Sequence, residues 1–189
     1  MTKDDVLKAI EEAFRAAPHP GDEHFAGQVS QCPSEYSYVA DYFKGKHWKD
    51  ITLDGLQKDY PGPHDACLSF MSPEAFRFYL PSYMVIAITE EGSGDTATEA
   101  AVNALRPPKL DPHLYELANT VGDPAANPFT PVAVERRKVW WERRVSGFTT
   151  AQQQAIVVFL DYLIARWKGD PKFGPHDALA YWKQRAGAS

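Results

Sequence analysis

The stretch HDACLSFMSPEAFRFYLPSYMVIAITE, residues 64–90, decides the fold because it holds one of the two longest apolar runs in the chain. Ser72 and Pro73 predict a helix start, with the serine as N-cap and the proline at the first helical position, where its missing N–H costs nothing. Pro81 has no N–H to donate to the preceding turn and is predicted to break or kink this helix. Residues 83–88 are apolar on every side, which indicates a buried helix or a buried strand.

A second long apolar helix is predicted over residues 151–167. Thr150 and Gln153 have the spacing of a capping box, in which each side chain bonds the backbone N–H of the other residue. Apolar residues cover a wide face of this helix, as expected of a helix at the centre of a core. We expect it to pack side by side with the helix at 73–88. Three tryptophans are predicted to pack against the pair: Trp48, Trp141 and Trp182.

The remaining segments predict further helices. Thr2 and Asp5 resemble a capping box at the start of an amphipathic helix. No segment shows the sustained alternation of polar and apolar residues that marks a half-buried strand. We therefore expect a mainly α fold: a single compact domain over residues 1–189, with about seven to nine helices and at most a minor short strand element. Residues 119–131, which hold three prolines and a glycine, are the candidate internal linker.

Composition places the chain among ordinary water-soluble proteins. With 44% hydrophobic and 24% charged residues, it has enough apolar material for one core. The N-terminal residues lack the apolar region of a signal peptide, and no apolar run approaches the length of a bilayer span. The spacing of Cys32 and Cys67 indicates neither a disulfide framework nor a zinc site, so both thiols are expected to be reduced. We expect a cytoplasmic protein without membrane contact and without a cofactor.

Charges are distributed unevenly along the chain. Residues 1–130 carry 20 acidic and 10 basic side chains, whereas residues 131–189 carry 5 acidic and 10 basic ones. This asymmetry indicates either separate acidic and basic binding faces or an attraction between the two parts within the fold.

The pentapeptide Gly-Pro-His-Asp-Ala occurs twice, at 62–66 and at 174–178. Imidazole and carboxylate groups bind metal ions, and the two segments would form a metal site if they converged. The structural alternative is that Gly-Pro followed by an acid simply starts a helix. Adjacent residues on one helix also point about 100° apart, which opposes their use on one metal. The candidate ligands are His64, Asp65, His176 and Asp177.

The segment RRKVWWERR, residues 136–144, interleaves basic and aromatic side chains. Such a pattern binds phosphate groups and stacks bases in nucleic-acid-binding proteins. The acidic balance of the whole chain opposes that function, so an acidic surface of a protein partner or of the same chain is expected instead. A structural alternative spreads the guanidinium groups over Glu135 and Glu142. The candidate partner-binding residues are Arg136, Arg137 and Trp140.

Phe78 is a further candidate for partner binding. It lies off the main apolar stripe of the helix that begins at Pro73, where an aromatic ring would be an exposed anchor. The alternative is that Phe78 belongs to the core together with its aromatic neighbours, Phe76, Tyr79 and Tyr83.

Two blocks of the sequence resemble an uncharacterised bacterial family that carries a domain of unknown function. The first is SPEAFRFYLPSYM, residues 72–84, and the second is FTTAQQQAIVVFLDYL, residues 148–163. Members share a phenylalanine-rich helix start, a Tyr-Leu-Pro sequence and a later helix that opens with threonine and glutamine. The resemblance implies a bacterial intracellular origin and no established chemistry, so it assigns no catalytic residue.

These observations favour a non-enzymatic intracellular binding protein. Its acidic surface would recognise a basic protein partner, in an immunity-like or regulatory role, because complementary charge speeds and selects association. No nucleophile elbow, phosphate-binding glycine loop or zinc-protease motif occurs in the sequence. The alternative is a metal-dependent or acid/base hydrolase that uses the two His-Asp pairs. Nucleic acid is not the expected partner.

Overall fold

The computed structural model describes residues 1–25, 33–64, 66–90, 95–121, 127–167 and 174–187. These residues form ten α-helices, a short 3₁₀ helix (Trp48–Asp50) and no β-strand, which confirms the mainly α fold. The helices are α1 (Lys3–Phe14), α2 (Pro33–Phe43), α3 (Leu53–Asp59), α4 (Cys67–Phe70), α5 (Pro73–Thr89), α6 (Asp95–Leu105), α7 (Pro112–Val121), α8 (Pro131–Val145), α9 (Thr150–Ile164) and α10 (His176–Arg185). None of them, within these ranges, has the length and apolarity needed to cross a bilayer.

α5 is one continuous helix through the centre of the molecule. Ser72 caps its N-terminus, where its hydroxyl accepts the N–H of Ala75 at 3.1 Å, and Pro73 is the first helical residue, as predicted. The break predicted at Pro81 does not occur, because the helix continues to Thr89. Residues on all sides of α5 are buried, so the packing around it keeps the chain helical although the proline removes one backbone hydrogen bond.

Three hydroxyl groups on α5 bond backbone carbonyls of the segments that cover it. A buried carbonyl without a partner costs about 1–3 kcal/mol, so these bonds determine how the chain between α2 and α4 lies on α5. The donor and acceptor pairs are Tyr79 to Phe43 at 3.0 Å, Ser82 to Trp48 at 2.7 Å and Tyr83 to His64 at 2.7 Å.

α5 and α9 do not pack side by side. α1 packs along both of them, whereas α5 and α9 have no extended contact with each other. Val6, Ile10 and Phe14 of α1 are completely buried and recur every four residues, so they form one apolar ridge. The prediction that the two long helices pack side by side is therefore wrong, and α1 supplies the connection.

The three tryptophans are buried in the core, as predicted for Trp48, Trp141 and Trp182. The indole N–H of Trp141 donates to the carbonyl of Ala104 at 2.8 Å, and that of Trp182 donates to the carbonyl of Leu105 at 2.9 Å. Both carbonyls belong to the last turn of α6, where the helix itself provides no donor. The two indoles therefore join α8 and α10 to the end of α6.

The capping box of α9 lies one residue earlier than predicted. Thr149 and Gln152 form it, with N–H···O distances of 3.3 and 3.0 Å, instead of Thr150 and Gln153. Two threonines and three glutamines lie close together in this segment, so the same spacing occurs in both registers. The box predicted at the start of α1 is present.

The predicted linker, 119–131, overlaps the end of one helix and the start of the next. α7 covers its first residues, α8 begins at its end, and residues 122–126 lie outside the described part of the chain. Asn127 is buried, and its side-chain amide donates to the carbonyl of Tyr115 at 3.0 Å and to Oδ1 of Asn119 at 2.7 Å. Polar contacts therefore hold α7 to the segment that leads into α8.

Replacing Ile10 with alanine should destabilise the protein by about 2–5 kcal/mol, since it opens a cavity in the ridge that joins α1 to α5 and α9. A urea unfolding curve followed by circular dichroism measures the change. Glu12→Ala, at an exposed position of the same helix, is the matched control and should change the free energy of unfolding by less than about 0.5 kcal/mol. Equal effects of the two substitutions would contradict the central position of α1.

Candidate functional site

α8 contains a seven-residue repeat. The segments VAVERRK, residues 132–138, and VWWERRV, residues 139–145, share a valine, a glutamate and two arginines at equivalent positions. Seven residues are close to two turns of an α-helix, so equivalent residues lie on the same side of α8.

The inner side of α8 is fixed to the core. Arg144 donates to the carbonyl of Leu68, and its guanidinium carbon lies 3.8 Å from the centre of the Phe76 ring. Burial lowers the pKa of Arg144, since no carboxylate among the described residues accompanies its charge. Arg77 of α5 in turn donates to the carbonyl of Arg144 at 3.1 Å, near the end of α8. The buried residues of this side are Val134, Trp141, Arg144 and Val145.

The outer side of α8 carries a stripe of two valines and two arginines. Val132 and Val139 are 71% and 57% exposed, and both arginines are exposed. Within the described part of the chain, the two guanidinium groups have no hydrogen-bond or ion-pair partner. At 100° per residue, the four side chains fall within about 60° of arc, opposite the buried side. We call Val132, Arg136, Val139 and Arg143 the α8 stripe.

The two glutamates of α8 do not neutralise this stripe. Glu135 pairs with Lys138 at 2.6 Å, and Glu142 pairs with Arg185 at 2.7 Å. Oε2 of Glu142 also accepts the hydroxyl of Tyr181 at 3.1 Å. The structural alternative, in which the guanidinium groups spread over these carboxylates, therefore does not hold for the stripe arginines.

A single ion pair connects the acidic and basic parts of the chain within the described ranges. All the other ion pairs there form within residues 1–130 or within residues 131–189. The connecting pair joins Lys109, from the acidic part, to Asp177, from the basic part. Ion pairs between the described residues therefore carry little of the predicted attraction between the two parts, and Arg136, Arg137 and Arg143 of α8 stay on the surface.

Of the other predicted partner-binding residues, one lies beside the stripe, one lies away from it and one is buried. Trp140 is partly buried next to the stripe, whereas Arg137 is exposed although it lies on the same side of α8 as the buried Arg144. Phe78 is only 1% exposed, and its ring lies 5.0 Å from that of His19 and 5.3 Å from that of His47. The prediction of an exposed anchor at Phe78 is wrong, because α5 is covered even on the side away from its main apolar stripe.

Exposed large apolar side chains are concentrated in one part of the described chain. α7 has no buried side chain among those described and no extensive contact with another helix, although its sequence is amphipathic. Clusters of exposed apolar groups mark interaction sites on soluble proteins. Apart from Met1, the exposed large apolar residues are Leu110, Leu114, Tyr115, Leu117, Val132 and Val139.

The four predicted metal ligands are not brought together among the described residues. Nε2 of His64 lies 2.9 Å from a threonine hydroxyl in the first turn of α6, and Asp177 forms its ion pair with Lys109. His176 is exposed at the start of α10, and Asp65 lies outside the described residues. Within the ranges that the structure describes, no three His, Cys, Asp or Glu side chains are placed to hold a metal ion.

The glycines of the repeated pentapeptide allow close packing of aromatic rings. A Cβ atom on Gly62 would lie 3.0 Å from the ring of Tyr60, and one on Gly174 would lie 2.8 Å from the indole nitrogen of Trp167. Side chains at these positions would push both rings away. The glycines therefore favour the structural interpretation of the repeat.

Cys67 is fully buried and close to tyrosine hydroxyls. Burial raises the pKa of Tyr60 and of Tyr83, and the neighbouring thiol adds to both shifts. Burial likewise raises the pKa of Tyr42 to about 12. A deeply buried thiol is a poor nucleophile, so this cluster has the character of core. Cys32, the other predicted thiol, lies outside the described residues.

One small cavity opens beside α1. Its volume is about 210 Å³, which is below the range of about 300–1,000 Å³ that is usual for ligand sites. Its wall includes the ion pair between Glu11 and Lys49, whose charged atoms are 2.7 Å apart. The cavity is too small to be the main candidate site.

The signal that sequence reasoning missed is the period of α8. The mixture of basic and aromatic residues identified the helix, and the shared face of Arg136, Trp140 and Arg143 pointed towards the stripe. The two valines complete it at intervals of seven residues. Comparing the two heptads would have revealed the stripe, although not which side of the helix is exposed.

The chain belongs to a family of unknown function, DUF6714, whose model matches residues 2–120. The match includes the block at 72–84 and extends over the N-terminal helices, whereas the block at 148–163 lies outside it. α8 also lies outside the matched residues. Searches of curated proteins and of solved structures found no match.

Alkaline unfolding should depend on the buried tyrosines. Burial raises their pKa values above the usual value of about 10, so the unfolded chain loses these protons at a lower pH than the folded protein. Their contribution to stability is therefore complete below pH about 10 and declines as the pH rises, by about 1.4 kcal/mol per pH unit for each tyrosine. The four residues concerned are Tyr42, Tyr60, Tyr79 and Tyr83.

Urea titrations at a series of alkaline pH values measure this slope. Tyr83→Phe should make the decline of the unfolding free energy shallower by one such increment, because one ionising group is removed. Tyr115→Phe, at an exposed position on α7, should leave the slope unchanged. The same slope in the wild type and in Tyr83→Phe would show that this hydroxyl does not carry the predicted linkage.

Proposed function

We propose that this member of DUF6714 is a non-enzymatic binding protein that recognises another protein through α8. The observation that carries the proposal is the α8 stripe, in which two exposed valines alternate with two exposed arginines that have no partner in the described part of the chain. Arginine is enriched in protein interfaces, and apolar groups left exposed together are typical of them. The stripe has both properties on a helix whose opposite side is held by the core.

This proposal reverses the charge that the sequence assigned to the contact surface. The sequence predicted that acidic groups of residues 1–130 contact a basic partner. Exposed acidic residues lie on many helices, such as Asp4 on α1, Asp41 on α2 and Glu99 on α6. In our proposal they act at a distance, because they repel an acidic partner from the rest of the surface and so direct it to α8.

The size of the surface supports a reversible contact. One face of a short helix buries less than the area of about 1,200–2,000 Å² that is typical of stable complexes. Exposed arginines also contribute less as the salt concentration rises. We therefore expect association that is transient and sensitive to salt, which suits a regulatory or immunity-like role.

The alternative function is a metal-dependent or acid/base hydrolase that uses His64, Asp65, His176 and Asp177. Two of these residues already have polar contacts, with α6 and with Lys109. A rise in the melting temperature on addition of Zn²⁺, reversed by a chelator, would support this alternative over the binding protein.

We also propose that the protein is bacterial and cytoplasmic. The origin follows from the resemblance of its two sequence blocks to bacterial proteins. The location follows from the two cysteines of the sequence, whose spacing indicates no disulfide framework, since reduced thiols are usual in the cytosol.

A photoreactive p-benzoylphenylalanine in place of Val139 should form a crosslinked product of discrete mass in an extract of the native host. The reason is that Val139 lies in the middle of the α8 stripe, within reach of any partner that covers it. The products are separated by gel electrophoresis and identified by mass spectrometry. Adding Arg136→Glu to the same protein should reduce the yield, because the charge that attracts the partner is reversed.

The control for this experiment is the same photoreactive residue at Lys58, which is exposed on α3. It should give no product of that mass, since α3 lies outside the proposed surface. Equal products at both positions, or none at Val139, would count against a binding surface on α8.

A further inference from the structure

We infer that the segment of the partner that binds α8 is an acidic α-helix with a seven-residue repeat. The inference rests on the proposed function and adds the chemistry of the partner. Two independent properties of the α8 stripe support it, namely the spacing of its side chains and its charge.

The spacing of the stripe matches a helix. Val132 and Val139 are seven residues apart, and so are Arg136 and Arg143. With a rise of 1.5 Å per residue, each pair spans about 10.5 Å along the axis. A partner helix with an apolar residue in every heptad repeats at this distance and packs its side chains between those of α8. An extended strand repeats on one face about every 6.8 Å and does not match both pairs.

The charge of the stripe requires an acidic partner. The guanidinium groups of Arg136 and Arg143 are exposed and have no partner among the described residues. The nearest acids in sequence, Glu135 and Glu142, are already paired with Lys138 and Arg185. Carboxylates at the edge of the partner helix would bond these arginines, as charged residues beside the apolar seam do in coiled coils. A basic helix would place like charges against each other.

A second copy of this chain is a poorer occupant of the stripe. A symmetric dimer in which α8 packs on α8 uses the same surface twice. The arginines of one stripe would then face the arginines of the other, since the stripe contains no acid. The repulsion would oppose the small gain from the four valines.

Nucleic acid is also a poorer occupant. The two valines have no group that bonds a phosphate, and base stacking requires exposed aromatic rings. Trp140, the aromatic residue next to the stripe, is partly buried. The two exposed valines therefore fit the apolar face of a partner helix better than a phosphate backbone.

The test uses the full chain and three labelled probes, whose binding is measured by fluorescence anisotropy at low salt. The first probe is a synthetic helix of three heptads with leucine at the first and glutamate at the fifth position of each heptad. The second has lysine in place of each glutamate, and the third is a single-stranded oligonucleotide. The glutamate helix should bind, the lysine helix should not, and salt at about 1 M should weaken the binding.

Reversing the charge of the stripe locates the contact. Arg136→Glu combined with Arg143→Glu should weaken binding of the glutamate helix at least about tenfold, because two attractions become repulsions. The same variant should gain affinity for the lysine helix. Lys8→Glu combined with Lys44→Glu makes the same change in net charge at exposed positions elsewhere and should change neither affinity by more than about twofold. Circular dichroism should show the same helix content in all variants.

The outcomes separate this inference from the proposed function. Equal weakening by the two double variants would indicate a general charge effect and overturn the inference. Tighter binding of the oligonucleotide than of the glutamate helix, lost in the stripe variant, would assign the stripe to nucleic acid. If neither helix binds while Val139 still crosslinks to a protein, the binding function holds and the acidic helix is wrong. If Val139 also fails to crosslink, the binding function fails as well.

Discussion

The burial of α5 on all its sides constrains the structure around it, because the segments that cover this helix bring backbone carbonyls into a region without water. Such carbonyls need a donor, and α5 provides three from its own side chains: Tyr79, Ser82 and Tyr83. The apolar residues of α5 provide the driving force for burial. Its hydroxyl groups determine where the covering segments lie, because each of them bonds a particular carbonyl. The chain between α2 and α4, which includes the 3₁₀ helix and α3, therefore takes its position from the helix beneath it.

The same rule operates at the other end of the molecule, where side chains from the C-terminal helices bond carbonyls of earlier segments. The indoles of Trp141 and Trp182 bond the end of α6, and the buried guanidinium group of Arg144 bonds Leu68. These contacts join parts of the chain that are far apart in sequence. They also fix the rotation of α8 about its axis, since the bonds of Trp141 and Arg144 depend on that rotation. The orientation of the outer side follows from that rotation.

The inner side of α8 packs on the core, and the α8 stripe therefore lies on the opposite side of the helix, which is exposed. Two neighbouring arginines of the second heptad show the division clearly, because Arg144 is buried whereas Arg143 is exposed. The DUF6714 match ends at residue 120, before α8 begins. Membership of the family therefore carries no information about the stripe, and the binding function is argued from its geometry and charge alone.

The sequence by itself determined the class of the fold, the starts of α1 and α5 and the chemical character of α8, because these features depend on residues that are neighbours in the chain. Only the tertiary structure decided that α5 continues through Pro81, that α1 joins α5 to α9, and that Phe78 is buried. It also decided which arginines of α8 face the solvent. Each of these outcomes depends on which distant parts of the chain pack against a helix. Two residues of the same type and spacing on one helix can therefore differ in burial, and the sequence of the helix alone does not show which of them is buried.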